Sequence, residues 1–276
     1  MSKLELSRSY IFEGRTVKYG MLGDGPPVIL VHGTPWSSFN LRHLIRTLSR
    51  DFTVYYYDLM GYGQSDKSPG DVSLGIQNQI LDHLINHWGL DNPFIIGHDF
   101  GGTTVLRTHL INGRDFRGIV LINPVAISPW GSSFFQHVNA HEAAFVGVPD
   151  YIHEAIVRAY VKTATFKAID DKTLDMIVRP WTEPEGKAAF YRQIAQASSS
   201  FTDEIQPFYS KISKPVLILW GREDTWIPVE KGEVLHEMIP GSLFHVISDA
   251  GHLVIEEQPD KLTEKILPFL QNEPIT

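Results

Sequence analysis

The chain has 276 residues, 43% hydrophobic and 20% charged, with a formal charge of −8; that suits one large globular core, excludes a disordered chain, and offers no basic face for nucleic-acid phosphates. The lack of cysteine removes disulfides, thiolate nucleophiles and cysteine-bound metals, and fits a reducing compartment. The opening stretch MSKLELSRSYIFEG lacks the continuous apolar segment of a secretory signal and no apolar run reaches the roughly 18 residues of a membrane span, so a cytoplasmic protein acting on small molecules is expected.

In chain order, SYIFEGRTVKYGMLGDG is predicted to form an antiparallel hairpin at a sheet edge. Six short runs follow: PVILVHG (27–33), TVYYYDLMG (53–61), PFIIGHD (93–99), GIVLINP (118–124), PVLILWG (215–221) and LFHVISD (243–249). They are apolar at consecutive positions, as strands of a parallel sheet covered on both faces should be. Between the first four, SSFNLRHLIRTLSR (37–50), GIQNQILDHLINHWG (75–89) and GGTTVLRTHLIN (101–112) space apolar residues three and four apart, as crossover helices do. From 127 to 207 the strand signal fades and aromatic-rich helical segments such as DYIHEAIVRAYVKTATF and EGKAAFYRQIAQA take over. The expected organisation is an α/β core over 1–126 and 208–276, with a helical cap over 127–207 above the sheet's C-terminal edge, where open α/β sheets bind ligands.

The stretch FIIGHDFGG (94–102) places Gly97-His98-Asp99-Phe100-Gly101 between a strand and a helix. It resembles the nucleophile elbow of the α/β-hydrolase fold, with aspartate where serine is usual. Asp224 in LILWGREDTWIP and His252 in DAGHLVIEEQP then follow later strands in the order nucleophile, acid, histidine. VHGTP (31–35) and DLMGYGQSD (58–66) look like that fold's oxyanion loop and glycine-rich turn. The resemblance spans nearly the whole chain outside the cap. It implies Asp99, Asp224 and His252 as catalytic residues and the backbone N–H groups of Thr34 and Phe100 as an oxyanion hole. Asp224 also suits a turn or helix cap; His98 and His32 read as structural hydrogen-bonders.

A carboxylate is already charged at neutral pH and needs no base to become a nucleophile. Attack on a carbonyl would give an energetic anhydride, whereas attack on saturated carbon gives a stable ester and expels a leaving group. A small, apolar alkyl electrophile is therefore the expected substrate. His252, oriented by Asp224, would then activate water to hydrolyse the Asp99 ester. No cofactor is implied. Nor is a metal: His137 and His141 lie four apart without an evident third ligand.

Among aspartate-nucleophile branches of the fold, the chain resembles haloalkane dehalogenases, epoxide hydrolases and haloacetate dehalogenases. The first typically place tryptophan after the nucleophile and asparagine before the oxyanion-loop proline; here Phe100 and Thr34 stand there, leaving Trp36, Trp130 or Trp181 to bind halide. The last place arginine after the nucleophile and again three residues later, where this chain has Phe100 and Thr103. AAFYRQI (188–194) resembles the late-cap segment in which epoxide hydrolases carry a ring-opening tyrosine, which would be Tyr191, with Tyr151, Tyr160, His137 or His141 as partner donor. Trp130, Trp181, Phe134, Phe135, Phe145 and Phe166 are candidate walls of an apolar pocket. An epoxide hydrolase is the leading expectation, with a halide-releasing relative as the alternative. A receptor that keeps the three residues but turns over little is the reading from another class.

Overall fold

A computed structural model describes residues 6–272; residues 1–5 of the opening stretch lie outside the described residues. The hairpin forms as β1 (Arg8–Phe12) and β2 (Arg15–Leu22), with Arg8 opposite Tyr19. All six apolar runs contain a strand: β3 (Pro27–Val31), β4 (Thr53–Tyr57), β5 (Phe94–His98), β6 (Gly118–Ile122), β7 (Val216–Gly221) and β8 (Leu243–Ile247). They join one sheet in the order β1-β2-β4-β3-β5-β6-β7-β8, antiparallel at β1-β2-β4 and parallel from β4 to β8.

Every residue of β5, β6 and β7 is buried, as the unbroken apolar runs require when helices cover both faces. The last run departs from that expectation. β8 is an edge strand, and its Leu243 is exposed, because only one neighbour and a partial covering layer remain there.

The crossover helices are α1 (Arg42–Leu48), α2 (Leu74–Trp88) and α3 (Phe100–Leu110). The segment read as one helix over 37–50 is instead a 3₁₀ turn, Ser38–Leu41, leading into α1. Ser37 and Asn40 form a reciprocal capping box that fixes the entry turn. Gly89, left-handed with φ 64°, ends α2.

Between β6 and β7 the chain is helical: α4 (Ser133–Ala140), α5 (Glu142–Val146), α6 (Asp150–Lys162), α7 (Asp171–Thr182), α8 (Gly186–Ala195) and α9 (Ser200–Asp203). Ser132 and Asp170 cap α4 and α7 by accepting from the Phe135 and Thr173 N–H groups. Helix α6 buries His153, Val157 and Val161, one stripe at four-residue spacing. The remaining helices are α10 (Glu230–Met238), α11 (Val254–Glu257) and α12 (Pro259–Gln271). Among the described residues, no helix is long and apolar enough to cross a membrane.

Candidate active site

Asp99 sits where β5 ends and α3 begins, with φ 55° and ψ −121°, a backbone shape that non-glycine residues seldom adopt. Two glycines make the turn possible. A Cβ on Gly101 would lie 2.1 Å from the Val31 carbonyl oxygen, so only glycine lets the start of α3 approach β3. A Cβ on Gly33 would lie 2.2 Å from Asp99 Oδ1, so the loop after β3 must be bare where it passes the carboxylate.

Asp99 is 3% exposed. Its Oδ1 accepts a 2.6 Å hydrogen bond from the Thr34 N–H, and its Oδ2 lies 3.0 Å from His252 Nε2. His252 Nδ1 in turn is 2.8 Å from Asp224 Oδ2. Phe100 is the first residue of α3, where N–H groups lack an acceptor within the helix, and its side chain lines the cavity over Asp99.

Asp224 combines the two roles its sequence context allows. Oδ1 accepts from the Trp226 and Ile227 N–H groups at 2.8 and 2.9 Å, tying its own turn. Oδ2 takes His252 Nδ1 and, at 2.6 Å, Asn123 Nδ2. Asn123 directly follows β6 and also accepts from the Gly221 N–H through its Oδ1, so one amide locks β6, β7 and the acid together.

Burial disfavours a charge on His252, but Asp224 and Asp99 outweigh it and push its pKa up to about 10. The imidazole is thus a cation between two carboxylates throughout the neutral range. Below it, His98 donates from Nε2 to the His252 carbonyl at 3.0 Å. Burial first, then repulsion from His252, depress His98 to about 4, so it stays neutral. His32 joins its own loop to the next, with Nδ1 2.8 Å from the Gly33 carbonyl and Nε2 accepting from the Leu59 N–H. Both match the structural reading of these histidines.

Over Asp99 lies a cavity of about 30 Å³, walled by Thr34, Phe100, Val125 and Ile227 from the core side, by Trp130, Gly131, Ser132, Phe135 and Tyr160 from the insertion, and by Trp226. The Tyr160 hydroxyl has no protein hydrogen bond among the described residues. Burial, then the Asp99 anion, hold it firmly protonated. Trp226 is stacked against three rings: Tyr160 at 4.5 Å, His252 at 5.1 Å and Trp36 at 5.7 Å. An indole face against a buried imidazolium favours the charge.

Several expected donors fall elsewhere. Tyr191 is wholly buried within the insertion; its hydroxyl is 2.9 Å from His153 Nδ1, burial raises its pKa to about 12, and it is not on the cavity wall. Tyr151 is 74% exposed. It precedes Tyr160 by nine residues, about two and a half helical turns, which places the two on opposite sides of α6. His137 and His141 are exposed and pack ring to ring at 4.8 Å, and Phe166 is also exposed. The indoles are no better placed. Trp181 donates to the Pro35 carbonyl, Trp130 lines the cavity but donates to Thr202 Oγ1, and Trp36 is buried behind Trp226 off the cavity wall. Residue type suggested all of these; helix phase, burial and local hydrogen bonding turn most of their polar groups away from the cavity or onto protein acceptors, while the Trp36 Nε1 is buried without a partner among the described residues.

Two residues escaped sequence reasoning. Asn123 closes an apolar strand with a polar side chain at the sheet's C-terminal edge, which is a legible signal. Trp226 stands two residues beyond Asp224 and carried none.

A mostly parallel sheet with a sharp turn after β5, an aspartate after β7 and a histidine after β8 is the arrangement of the α/β hydrolase fold. The chain belongs to the α/β hydrolase fold family, whose model matches residues 26–259. It is similar to an α/β hydrolase fold protein from Burkholderia ambifaria of known crystal structure, at 44% identity and TM-score 0.94 over 96% of this chain and 98% of that one. It is also similar to a cis-3-alkyl-4-alkyloxetan-2-one decarboxylase from Xanthomonas campestris, 26% identical over 98% of this chain and 94% of the relative. A third relative is epoxide hydrolase 4 of Mus musculus, 23% identical over 90% of this chain and 74% of the relative.

Proposed function

We propose that this protein is a hydrolase of small epoxides that works through an ester on Asp99. The observation that carries this reading is that Asp99 and Tyr160 line one largely apolar cavity, the Tyr160 hydroxyl being without a protein hydrogen bond among the described residues and kept protonated by burial and by the Asp99 anion. Asp99 Oδ2 attacks a ring carbon, the C–O bond breaks, and the ring oxygen takes the Tyr160 proton. An alkoxide needs such a donor; a halide needs N–H groups, and the Trp130 and Trp181 indoles are already engaged while Trp36, whose Nε1 is free of protein partners among the described residues, lies off the cavity wall.

Esterification removes one of the two anions that hold the His252 proton. The imidazole then falls toward its ordinary range, returns its proton through solvent to the Tyr160 phenolate, and becomes a base. It takes a proton from water, and hydroxide attacks the Asp99 carboxyl carbon. Charge develops on Oδ1, where the Thr34 N–H is already in place at 2.6 Å; a donor of this kind lowers the barrier by roughly 3 kcal/mol. On collapse the Cγ–Oδ2 bond breaks and the departing alkoxide takes, by way of His252, the proton of the added hydroxyl, which releases the diol and restores the carboxylate.

Tyr160→Phe is expected to slow diol formation by roughly 10²-fold, the usual worth of a positioned acid. A steady-state assay on a terminal epoxide checks it, and an unchanged rate removes Tyr160 as the acid.

The second reading is a strained cyclic ester, favoured by the Xanthomonas relative, whose name is that of an oxetanone decarboxylase. Scission at saturated carbon there would free a carboxylate, which needs no proton from Tyr160. A panel of epoxides, oxetanones and haloalkanes, scored for diol, hydroxy acid, CO₂ and halide, separates these chemistries. More than one product per protein molecule excludes a slow receptor.

A further inference from the structure

The cavity over Asp99 is small, but a second void adjoins it. A groove of about 500 Å³ lies between α4 and α6 and shares Ser132, Tyr160 and Trp226 with the cavity. Its volume falls in the range of ligand pockets. Ile156, Ala159, Tyr160 and Thr163 recur at three- and four-residue spacing, so one face of α6 forms one side, and Phe134 of α4 contributes to the other. No lining residue is charged. An ionised tail would lie there without a counter-ion, at a cost that an alkyl tail avoids. The stacked pair Tyr160 and Trp226 belongs to both linings, so it forms the partition between groove and cavity.

We propose that the substrate carries a linear, uncharged alkyl chain that lies along this groove while its reactive ring passes the Tyr160–Trp226 partition to Asp99. This deepens the reading of Asp99 and Tyr160 given above and rests on it. The groove sets chain-length preference, and the cavity restricts the ring to a small one.

The test is kcat/KM for terminal epoxides from propylene oxide to epoxydodecane. It is expected to rise about fourfold per added methylene, the order that burying one CH₂ implies, and to level off once the groove is full. Ile156→Asp is expected to pull the ratio of long-chain to short-chain kcat/KM toward unity, and Ala159→Trp to bring the plateau to shorter chains. A flat dependence in the wild type, or an undiminished slope in both variants, overturns the inference. Unreactive linear alkanols supply an arm independent of turnover. Calorimetry should show affinity increasing with chain length and lost in Ala159→Trp. Alkanol binding of that kind without turnover of any epoxide would support the groove and reject the epoxide reading. Turnover of epoxides without alkanol binding would do the reverse. A dimer that Ile156→Asp dissociates would make the groove an interface between copies and overturn the proposal.

Discussion

Asp99→Asn is expected to lower turnover of any substrate by roughly 10⁴-fold or more, the scale seen when a covalent nucleophile is removed. Asparagine is nearly the same shape as aspartate, so the elbow, the Gly33 passage and the hydrogen bond from the Thr34 N–H can all persist through the amide oxygen. What goes is the charge that attacks carbon. The loss should therefore appear in kcat, with the thermal midpoint close to wild type. Removing the anion also takes away one of the two charges that raise His252, but a lone histidine base has no ester to hydrolyse. Full activity in this variant, measured on the same panel, would take away the nucleophile and with it the two-step scheme.

His252→Gln should leave the first step running and stop the second. Glutamine can still donate toward Asp224, which keeps its Asn123, Trp226 and Ile227 donors, so the buried acid is not stranded as it would be beside an apolar replacement. Without the imidazole, water loses its base, and hydrolysis of the ester should slow by roughly 10⁴-fold. The protein would consume one equivalent of epoxide and stop. Because ring opening expels no fragment, the peptide carrying Asp99 should gain the entire mass of the substrate. An unmodified peptide after incubation with a proven substrate rules out the covalent route.

The sheet was legible because parallel strands buried on both faces leave unbroken apolar runs, and all six runs became strands. β8 kept that signature while lying at an edge, since a run of five apolar or aromatic positions does not reveal how many neighbours it has. The juxtaposition of Asp99, His252 and Asp224 was legible because each follows a strand and so falls at one end of one sheet. The insertion was not. Its helices carry aromatic residues on several faces, and whether a ring reaches the cavity depends on helix phase: Tyr160 lines it, while Tyr151 on the same helix meets solvent. Tyr191 sits in a segment resembling one that carries an acid, yet packs against His153. Trp226 connects insertion and imidazole through tertiary stacking and an indole hydrogen bond to Thr163 Oγ1, for which no local pattern exists.

The unequal fastening of the two Asp99 oxygens has an isotopic corollary. Oδ1 is tethered by the loop amide while Oδ2 faces the imidazole, so in each cycle the oxygen handed to the product comes from the protein and its replacement comes from solvent. In heavy-oxygen water the first equivalent of diol would emerge unlabelled. The carboxylate would acquire one heavy atom and, so long as it does not rotate, never the second.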